Sequence, residues 1–370
     1  MLQTAASLSL EDILGKALRL RPITREEIVF LLSLKERAEI LRLFETAQKL
    51  RKHFFGDRIF AYGFVYFSTY CRNNCRFCSS RVSNREKTRY RKTGAEIKEA
   101  AFQLVESGVH LIDLTMGEDP RYFRNGEEFD SLIELSGLIK KETGLPVMIS
   151  PGVVSEKTLK GFSEAGIDWY ACYQETHNRR LFEDLRPGQN YDVRMASKYL
   201  ARKRGLLIEE GIMTGVGETL QDIADSITAM RRMGAHQTRV MSFNPQDGTP
   251  MSNRPSPLRL RELLIIAVLR LVFPDRLIPA SLDIDGREYL KERLEAGTNV
   301  ITSLIPPAMG LSGVSQATLD IDEGKRTLGG ILPLLNAAGL ELATADDYGS
   351  WVREERKKCQ HQNLICEAQL

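Results

Sequence analysis

From residue 59 onward, short runs rich in β-branched and other apolar residues alternate with amphipathic stretches of 12 to 17 residues. The runs are Ile59–Phe67, Val109–Met116, Pro146–Ser150, Ile167–Tyr173, Leu206–Met213, Thr238–Phe243, Arg276–Ser281 and Asn299–Ser303. Between them, apolar residues recur at helical spacing, as over Ala95–Ser107, Glu218–Met233 and Leu258–Phe273. Thr93-Gly94-Ala95-Glu96 has the capping-box spacing that starts a helix, and Pro274 stops the third stretch. Eight strands each followed by a helix, with no antiparallel meander, predict an α/β fold. The count favours a closed (β/α)8 TIM-type barrel over an open doubly wound sheet. No fixed-period repeat points to a solenoid.

Residues 1–50 read as helical throughout, with a second capping box, Thr24 to Glu27, before Ile28, Val29, Leu31 and Leu32. The expected organisation is an N-terminal helical extension over 1–55 and a barrel over 56–310. A C-terminal annex over 311–370 should carry one helix around Glu323–Ala338 and a charged tail.

The 370 residues suit such a barrel with extensions. Fifty-one Lys and Arg against 49 Asp and Glu give no electrostatic argument for nucleic acid or for an anionic membrane. The longest strictly apolar run, Leu263–Leu269, is too short to span a bilayer. The first residues do not read as a signal peptide. A cytoplasmic location with reduced thiols is expected.

Cysteine placement changes the picture most. Cys172, Cys359 and Cys366 lie apart, while Cys71, Cys75 and Cys78 form a C-x3-C-x2-C motif directly after the first strand. Barrel active sites form on such loops. Three thiolates at this spacing can wrap one face of a [4Fe–4S] cube and leave the fourth iron open to a small chelating molecule. Structural zinc would need a fourth ligand, and neither His53 nor His110 has finger-like spacing to the trio. Other polar residues at strand ends are Asp113, Thr115, Arg239, Ser281 and Asp283. Two acids with an Arg and a Ser suit an amino acid substrate; the alternative is a set of salt bridges inside the barrel.

The cysteine motif, with Phe77 before its last cysteine, resembles that of the radical S-adenosylmethionine (SAM) enzymes. The resemblance implies a [4Fe–4S] cluster and SAM as cofactors. Met116-Gly117-Glu118 is similar to the superfamily's Gly-Gly-Glu segment, with Met116 in place of the first Gly. That segment holds the methionyl ammonium through backbone carbonyls; the alternative is a strand-ending turn with solvated acids. Glu175 and Arg194 are similar to the methionine-binding pair of the biotin synthase and hydrogenase-maturase branch, implying ammonium at Glu175 and carboxylate at Arg194. Without the resemblance, Arg194 is an exposed helix Arg. The stretch Gly211–Glu218, with Met213 and Gly215, resembles an adenine-supporting motif, or is a Gly-rich turn in which Glu218 favours the next helix. Ser150 could offer its hydroxyl to the ribose, or simply open a Pro-Gly turn.

A narrower resemblance covers most of residues 25–310 and fades in the tail. Phe67–Cys71, Asp113–Pro120, Met148–Gly152, Tyr173–Thr176, Arg239–Met241 and Arg276–Asp283 are similar to the methylornithine synthases. This implies substrate-binding roles for Asp113, Arg239, Ser281 and Asp283. It also implies isomerisation of L-lysine to (3R)-3-methyl-D-ornithine in pyrrolysine biosynthesis. The implied route runs through a 5′-deoxyadenosyl radical and a lysyl radical that fragments and recombines. It needs a one-electron donor such as flavodoxin or ferredoxin and no general acid or base. Two alternatives remain at this point: another enzyme of the hydrogenase-maturase and biotin-synthase branch, and a non-catalytic iron–sulfur or zinc module. Cys172, Cys359 and Cys366 form no plausible ligand set for the second cluster that biotin synthase needs.

Overall fold

The computed structural model describes residues 8–124, 127–283, 285–306 and 326–368. Its strands are β1 (Arg58–Ser68), β2 (Leu111–Met116), β3 (Val147–Ser150), β4 (Trp169–Ala171), β5 (Leu207–Thr214), β6 (Gln237–Ser242), β7 (Pro279–Ser281), β8 (Val300–Leu304) and β9 (Glu341–Leu342). Three helices precede the sheet: α1 (Leu10–Leu18), α2 (Arg25–Leu32) and α3 (Arg37–Phe55). The crossovers contain α4 (Gly94–Ser107), α5 (Pro120–Phe123), α6 (Glu127–Thr143), α7 (Glu156–Glu164), α8 (Arg179–Leu185), α9 (Tyr191–Lys203), α10 (Leu220–Met233), α11 (Arg259–Val272) and α12 (Leu290–Glu295). The chain ends with α13 (Leu328–Ala337) and α14 (Ala345–Ala368). Both predicted capping boxes form, at Thr24/Glu27 and Thr93/Glu96.

The strands run parallel in the order β6-β5-β4-β3-β2-β1-β8-β7. A single bridge, Gln237 to Leu277, joins the two end strands into a nearly closed barrel. There the Thr238 N–H donates to the Leu277 carbonyl at 3.0 Å, and the Leu277 N–H to the His236 carbonyl at 3.2 Å. The seventh strand is shorter than the expected Arg276–Ser281. Beyond the Leu277 bridge, side chains help to hold its first residues. Arg270 donates to the Arg276 carbonyl at 2.8 Å, and the Ile278 N–H donates to Asn299 at 2.8 Å.

The N-terminal segment is not continuously helical. The chain leaves the helical path after α1, through Leu20 at φ +56° and Pro22, and again after α2. Proline and a left-handed residue in one linker explain the first break. The expected charged tail is instead the helix α14, and β9 extends β1 by two parallel pairs. The annex helix starts at Leu328, capped by Thr327. The expected boundary at 310/311 lies outside the described residues, as does the side chain of Cys366.

The annex closes one end of the barrel. Phe60, Tyr62, Met148, Trp169, Leu207 and Val300 form an apolar cluster with Tyr348 and Val352 of α14. Trp351 stacks on Trp169, with ring centroids 5.9 Å apart and planes at 8°. The amino-terminal ends of the strands are therefore filled, which directs any cleft to their carboxyl ends. Among the described residues, no helix is long and apolar enough to cross a membrane.

Candidate active site at the carboxyl ends of the strands

The cysteine loop leaves β1 at Ser68, whose hydroxyl donates to Asp119 at 2.5 Å. Arg91 forks onto the same carboxylate at 2.5 and 2.9 Å, tying the far end of the loop to the end of β2. Gly117 lies directly against this loop. A Cβ there would stand 2.4 Å from the Tyr70 carbonyl oxygen and 3.0 Å from Cys71 Cβ, so only glycine permits the approach. The Arg72 N–H then donates to the Glu118 carbonyl at 2.8 Å.

The Cys75 sulfur accepts from Gln189 Nε2 at 3.1 Å and from Arg186 Nη1 at 3.4 Å. Burial, then the neighbouring Cys78, pushes the Cys71 thiol up to about 12. Burial and Cys75 push Cys78 up to about 11. Thiols so buried lose their protons to a metal rather than to water. Among the described residues, no three His, Cys, Asp or Glu side chains converge at the spacing of a single metal ion. Three thiolates on one loop suit a cubane, in which each would bind its own iron.

Beside the loop, the barrel mouth holds a cavity with about 820 Å³ of free space, its open mouth included. Phe77, Cys78, Asp113, Ser150, Glu175, Met213, Arg239 and Asp283 all line it, together with Phe64, Tyr173, Phe243 and Ser303. The remaining residues expected at the site lie just outside. Cys71 and Cys75 sit within the loop, and Met116 packs into the core. Ser281 bonds to the Ser303 hydroxyl at 3.3 Å and accepts from the Asp283 N–H, so it shapes the turn that aims Asp283. Gly215, at φ +92°, packs against Pro257.

Glu175 occupies the left-handed region at φ +67°. Its N–H donates to the Gly211 carbonyl at 3.1 Å and its carbonyl accepts from Met213 N–H at 2.9 Å, which locks the residue onto β5. A non-glycine residue held at positive φ marks stored strain, and such strain gathers at functional sites. Glu175 Oε1 accepts from Arg186 at 2.8 Å, whereas Oε2 is buried with no partner. A buried carboxylate oxygen lacking a donor suits an ammonium group. Burial raises this carboxyl above its usual range, against the pull of Arg186 and Arg194.

Arg194 is not an exposed helix residue. It is buried, donates to the Tyr173 carbonyl at 2.8 Å and pairs with Glu118 at 3.1 Å. Glu118 is likewise not a solvated acid, since Arg72 and the Val153 N–H also bond to it. Glu218 does not serve the helix start alone. Its carboxylate accepts from the Gly215, Val216 and Gly217 N–H groups and the Thr214 hydroxyl, and so folds the β5 loop around itself.

Inside the barrel, Arg239 donates through Nε to Glu209 at 2.6 Å and through Nη2 to Thr302 at 3.4 Å, with Tyr173 under its guanidinium. Ser150 donates to Asp113 at 2.9 Å. Burial, then the nearby Glu209, raises the Asp113 carboxyl to about 7. Asp283 faces Arg326 at 3.4 Å. Arg186 and Glu209 are among the residues at this site not expected from sequence. The signal for Glu209 was an acidic doublet in an otherwise apolar strand: the alternating pleat sends Glu209 inward and Glu210 outward to Lys198.

A radical SAM superfamily profile matches residues 65–230. The chain is 42% identical over 331 residues to the 3-methylornithine synthase of Methanosarcina acetivorans, covering 90% of this chain and 93% of that protein. It is 40% identical over 348 residues to the 3-methylornithine synthase of Methanosarcina barkeri, covering 94% and 98%. The crystal structure of a methylornithine synthase superposes with a TM-score of 0.86 at 40% identity, covering 91% of this chain and 99% of that one. The barrel, its cysteine loop and these full-length likenesses agree, and the chain belongs to the methylornithine synthase family of radical SAM enzymes, whose cofactors are a [4Fe–4S] cluster and SAM.

Proposed function

We propose that the protein converts L-lysine to (3R)-3-methyl-D-ornithine, a step of pyrrolysine biosynthesis. The observation that carries this reading is the convergence of Asp113, Arg239 and Asp283, from three different strands, on the one cavity that Phe77 and Cys78 also line. Two acids and an Arg, set apart around one volume, match an amino acid with two ammonium groups and one carboxylate.

When bound, the cluster and SAM supply a carbon radical strong enough to take hydrogen from an unactivated C–H bond. Cys71, Cys75 and Cys78 would hold the cluster. The unpartnered oxygen of Glu175 would take the methionyl ammonium, and Arg194 the carboxylate while still paired with Glu118. The Met116-Gly117-Glu118 backbone would flank the methionyl end. Ser150 would meet the ribose, and Met213 and Gly215 the adenine. Asp113 and Asp283 would hold the ammonium groups of the substrate and Arg239 its carboxylate, with Ser281 fixing the Asp283 turn. Phe64, Met241 and Phe243 would exclude water and competing hydrogen donors. An external one-electron donor, such as flavodoxin or ferredoxin, would reduce the cluster.

The test is anaerobic incubation with SAM, dithionite and isotope-labelled lysine, followed by mass spectrometry. Labelled methylornithine is the expected product. SAM cleavage without a lysine-derived product would move the protein to another branch of the superfamily, and absence of cleavage would make it non-catalytic.

The environment of Asp113 predicts a pH dependence. Its folded value of about 7 lies above the ordinary 3.8, so the fold favours the neutral acid. That preference costs nothing below about pH 4 and its full amount above about pH 7. A substrate ammonium favours the ionised form instead. Lysine affinity should therefore rise with pH towards 7, by up to about tenfold per unit, and then flatten. Asp113→Asn should remove most of that slope. Titration calorimetry from pH 5.5 to 8 would measure it, and an unchanged slope in the variant would assign it to another group.

A further inference from the structure

The chain between α8 and α9 meets the cysteine loop in two ways. One contact is made by backbone and apolar groups: the Arg76 N–H donates to the Leu185 carbonyl at 2.9 Å, and Leu185 packs with Cys75 and Phe77. That alone would dock the loop. The other contact is polar and falls on a single atom. Arg186, at the C-terminal end of α8, and Gln189 both donate to the Cys75 sulfur, at 3.4 and 3.1 Å. Cys71, by contrast, accepts from the Asn73 N–H of its own loop at 3.4 Å.

The same two side chains reach on to the residues assigned to SAM. Arg186 gives Nη2 to Glu175 Oε1 at 2.8 Å and to the Tyr173 carbonyl at 3.3 Å. Gln189 Oε1 accepts from Arg194 at 3.3 Å and from Arg186 at 3.4 Å. Chemistry fixes the orientation of this amide. Guanidinium groups only donate, so the Gln189 oxygen faces the two arginines and its NH2 faces the sulfur. One sulfur is thus joined to Glu175 through Arg186 and to Arg194 through Gln189. Arg186 is only 6% exposed, with Phe77 on one side, 5.3 Å from guanidinium to ring centroid. With so little water around it, a cation at a thiolate acts at far more than its solution strength.

An N–H donor or a cation at a thiolate draws electron density from it and favours the reduced, more negative state of a cluster bound there. We propose that Arg186 and Gln189 are positioning residues that raise the reduction potential of a cluster held by Cys75 and, with the same side chains, hold Glu175 and Arg194 in place for SAM. The proposal rests on the roles given above to Cys75, Glu175 and Arg194.

The test uses the full-length, cluster-reconstituted chain. The midpoint potential of its one-electron couple would be read by EPR during anaerobic titration with dithionite, and SAM affinity by equilibrium dialysis on the oxidised protein. Gln189→Leu leaves Glu175 with Arg186 and Arg194 with Glu118, so this variant should fold and keep its iron. Its reduction should become about tenfold less favourable, which is about 59 mV for one electron. Arg186→Gln should lower the potential by at least as much and weaken SAM binding by about tenfold or more, because the buried Glu175 loses its cation. Arg186→Lys keeps a charge for Glu175 without the planar fork, so it should recover most of that SAM affinity and less of the potential. Arg76→Gln removes an equal charge from the same loop, where it pairs with Asp184 instead of a cysteine sulfur, and should shift the potential much less. An unchanged potential in Gln189→Leu, or an equal fall in Arg76→Gln, would overturn the proposal while leaving the cysteine ligands in place. Iron retained in Cys75→Ala would instead remove the cluster reading beneath it, and the proposal with it.

Discussion

Alanine at any one of Cys71, Cys75 or Cys78 should abolish SAM cleavage, the largest single-residue effect expected in this protein. Each thiolate of a site-differentiated cube carries one iron, so a missing sulfur leaves a second open iron and no defined place for SAM. The surroundings cannot supply a substitute. Arg186 and Gln189, the side chains bonded to Cys75, are donors at the sulfur and not metal ligands in that role. Cys172 and Cys359 are buried elsewhere, the latter against His236 at the other end of the barrel. Iron content and SAM cleavage, measured anaerobically, would check this. Cys172→Ala, Cys359→Ala and Cys366→Ala should retain iron. Full activity in any one of the three motif variants would remove that cysteine from the ligand set.

The barrel was readable because each strand is buried on both faces and bounded by an amphipathic helix, so the two periods alternate without interruption. Eight such units also located the chemistry, since the cysteine motif and Glu175 stood just past the carboxyl ends of predicted strands, and Asp113 and Arg239 stood as charges within otherwise apolar ones. What failed was structure carried by side chains or by distant partners. The residues ahead of β7 look like a strand but bond to Arg270 and Asn299. The last helix reads as a charged tail because its buried residues, Tyr348, Val352, Glu355 and Cys359, are spaced among many exposed charges and include an acid. Helical spacing was present, with too few apolar residues to announce a buried face.

At the site, the same division holds. Glu175 and Arg194 were nameable from a motif, yet their partners were not. Arg194 meets Glu118 across 76 positions of sequence, and Glu175 meets Arg186, which follows a short helix and carries no strand-end signal. Glu209 was hidden by its neighbour, because a Glu-Glu doublet does not say which acid faces inward until the pleat is fixed. Such partners decide how firmly a ligand-binding group is held, so they bear directly on what substitution at the site would do.

Arg239 shows this most clearly. It is buried, bonded through Nε to Glu209 at 2.6 Å, reaches Thr302 at 3.4 Å and lies over the Tyr173 ring. Gly211 makes the stacking possible, since a Cβ there would stand 2.9 Å from Arg239 Cγ and 3.1 Å from the Tyr173 ring. A lysine at 239 would keep the charge that Glu209 requires, so the barrel should stay folded. It would lose the planar fork that can hold Glu209 with one edge and a substrate carboxylate with another. Lysine affinity in Arg239→Lys should fall by about 2–3 kcal/mol, or roughly 30- to 150-fold, as for a desolvated charged pair. SAM affinity should be nearly unchanged, because the SAM carboxylate is assigned to Arg194. Asp283→Asn should likewise weaken lysine and spare SAM. Lysine-dependent methylornithine formation, measured beside SAM affinity in both variants, decides the matter. Near-normal lysine turnover in both would reject this pocket while leaving the cluster assignment intact, whereas parallel loss of SAM and lysine binding would point to a collapsed barrel mouth instead of a lost contact.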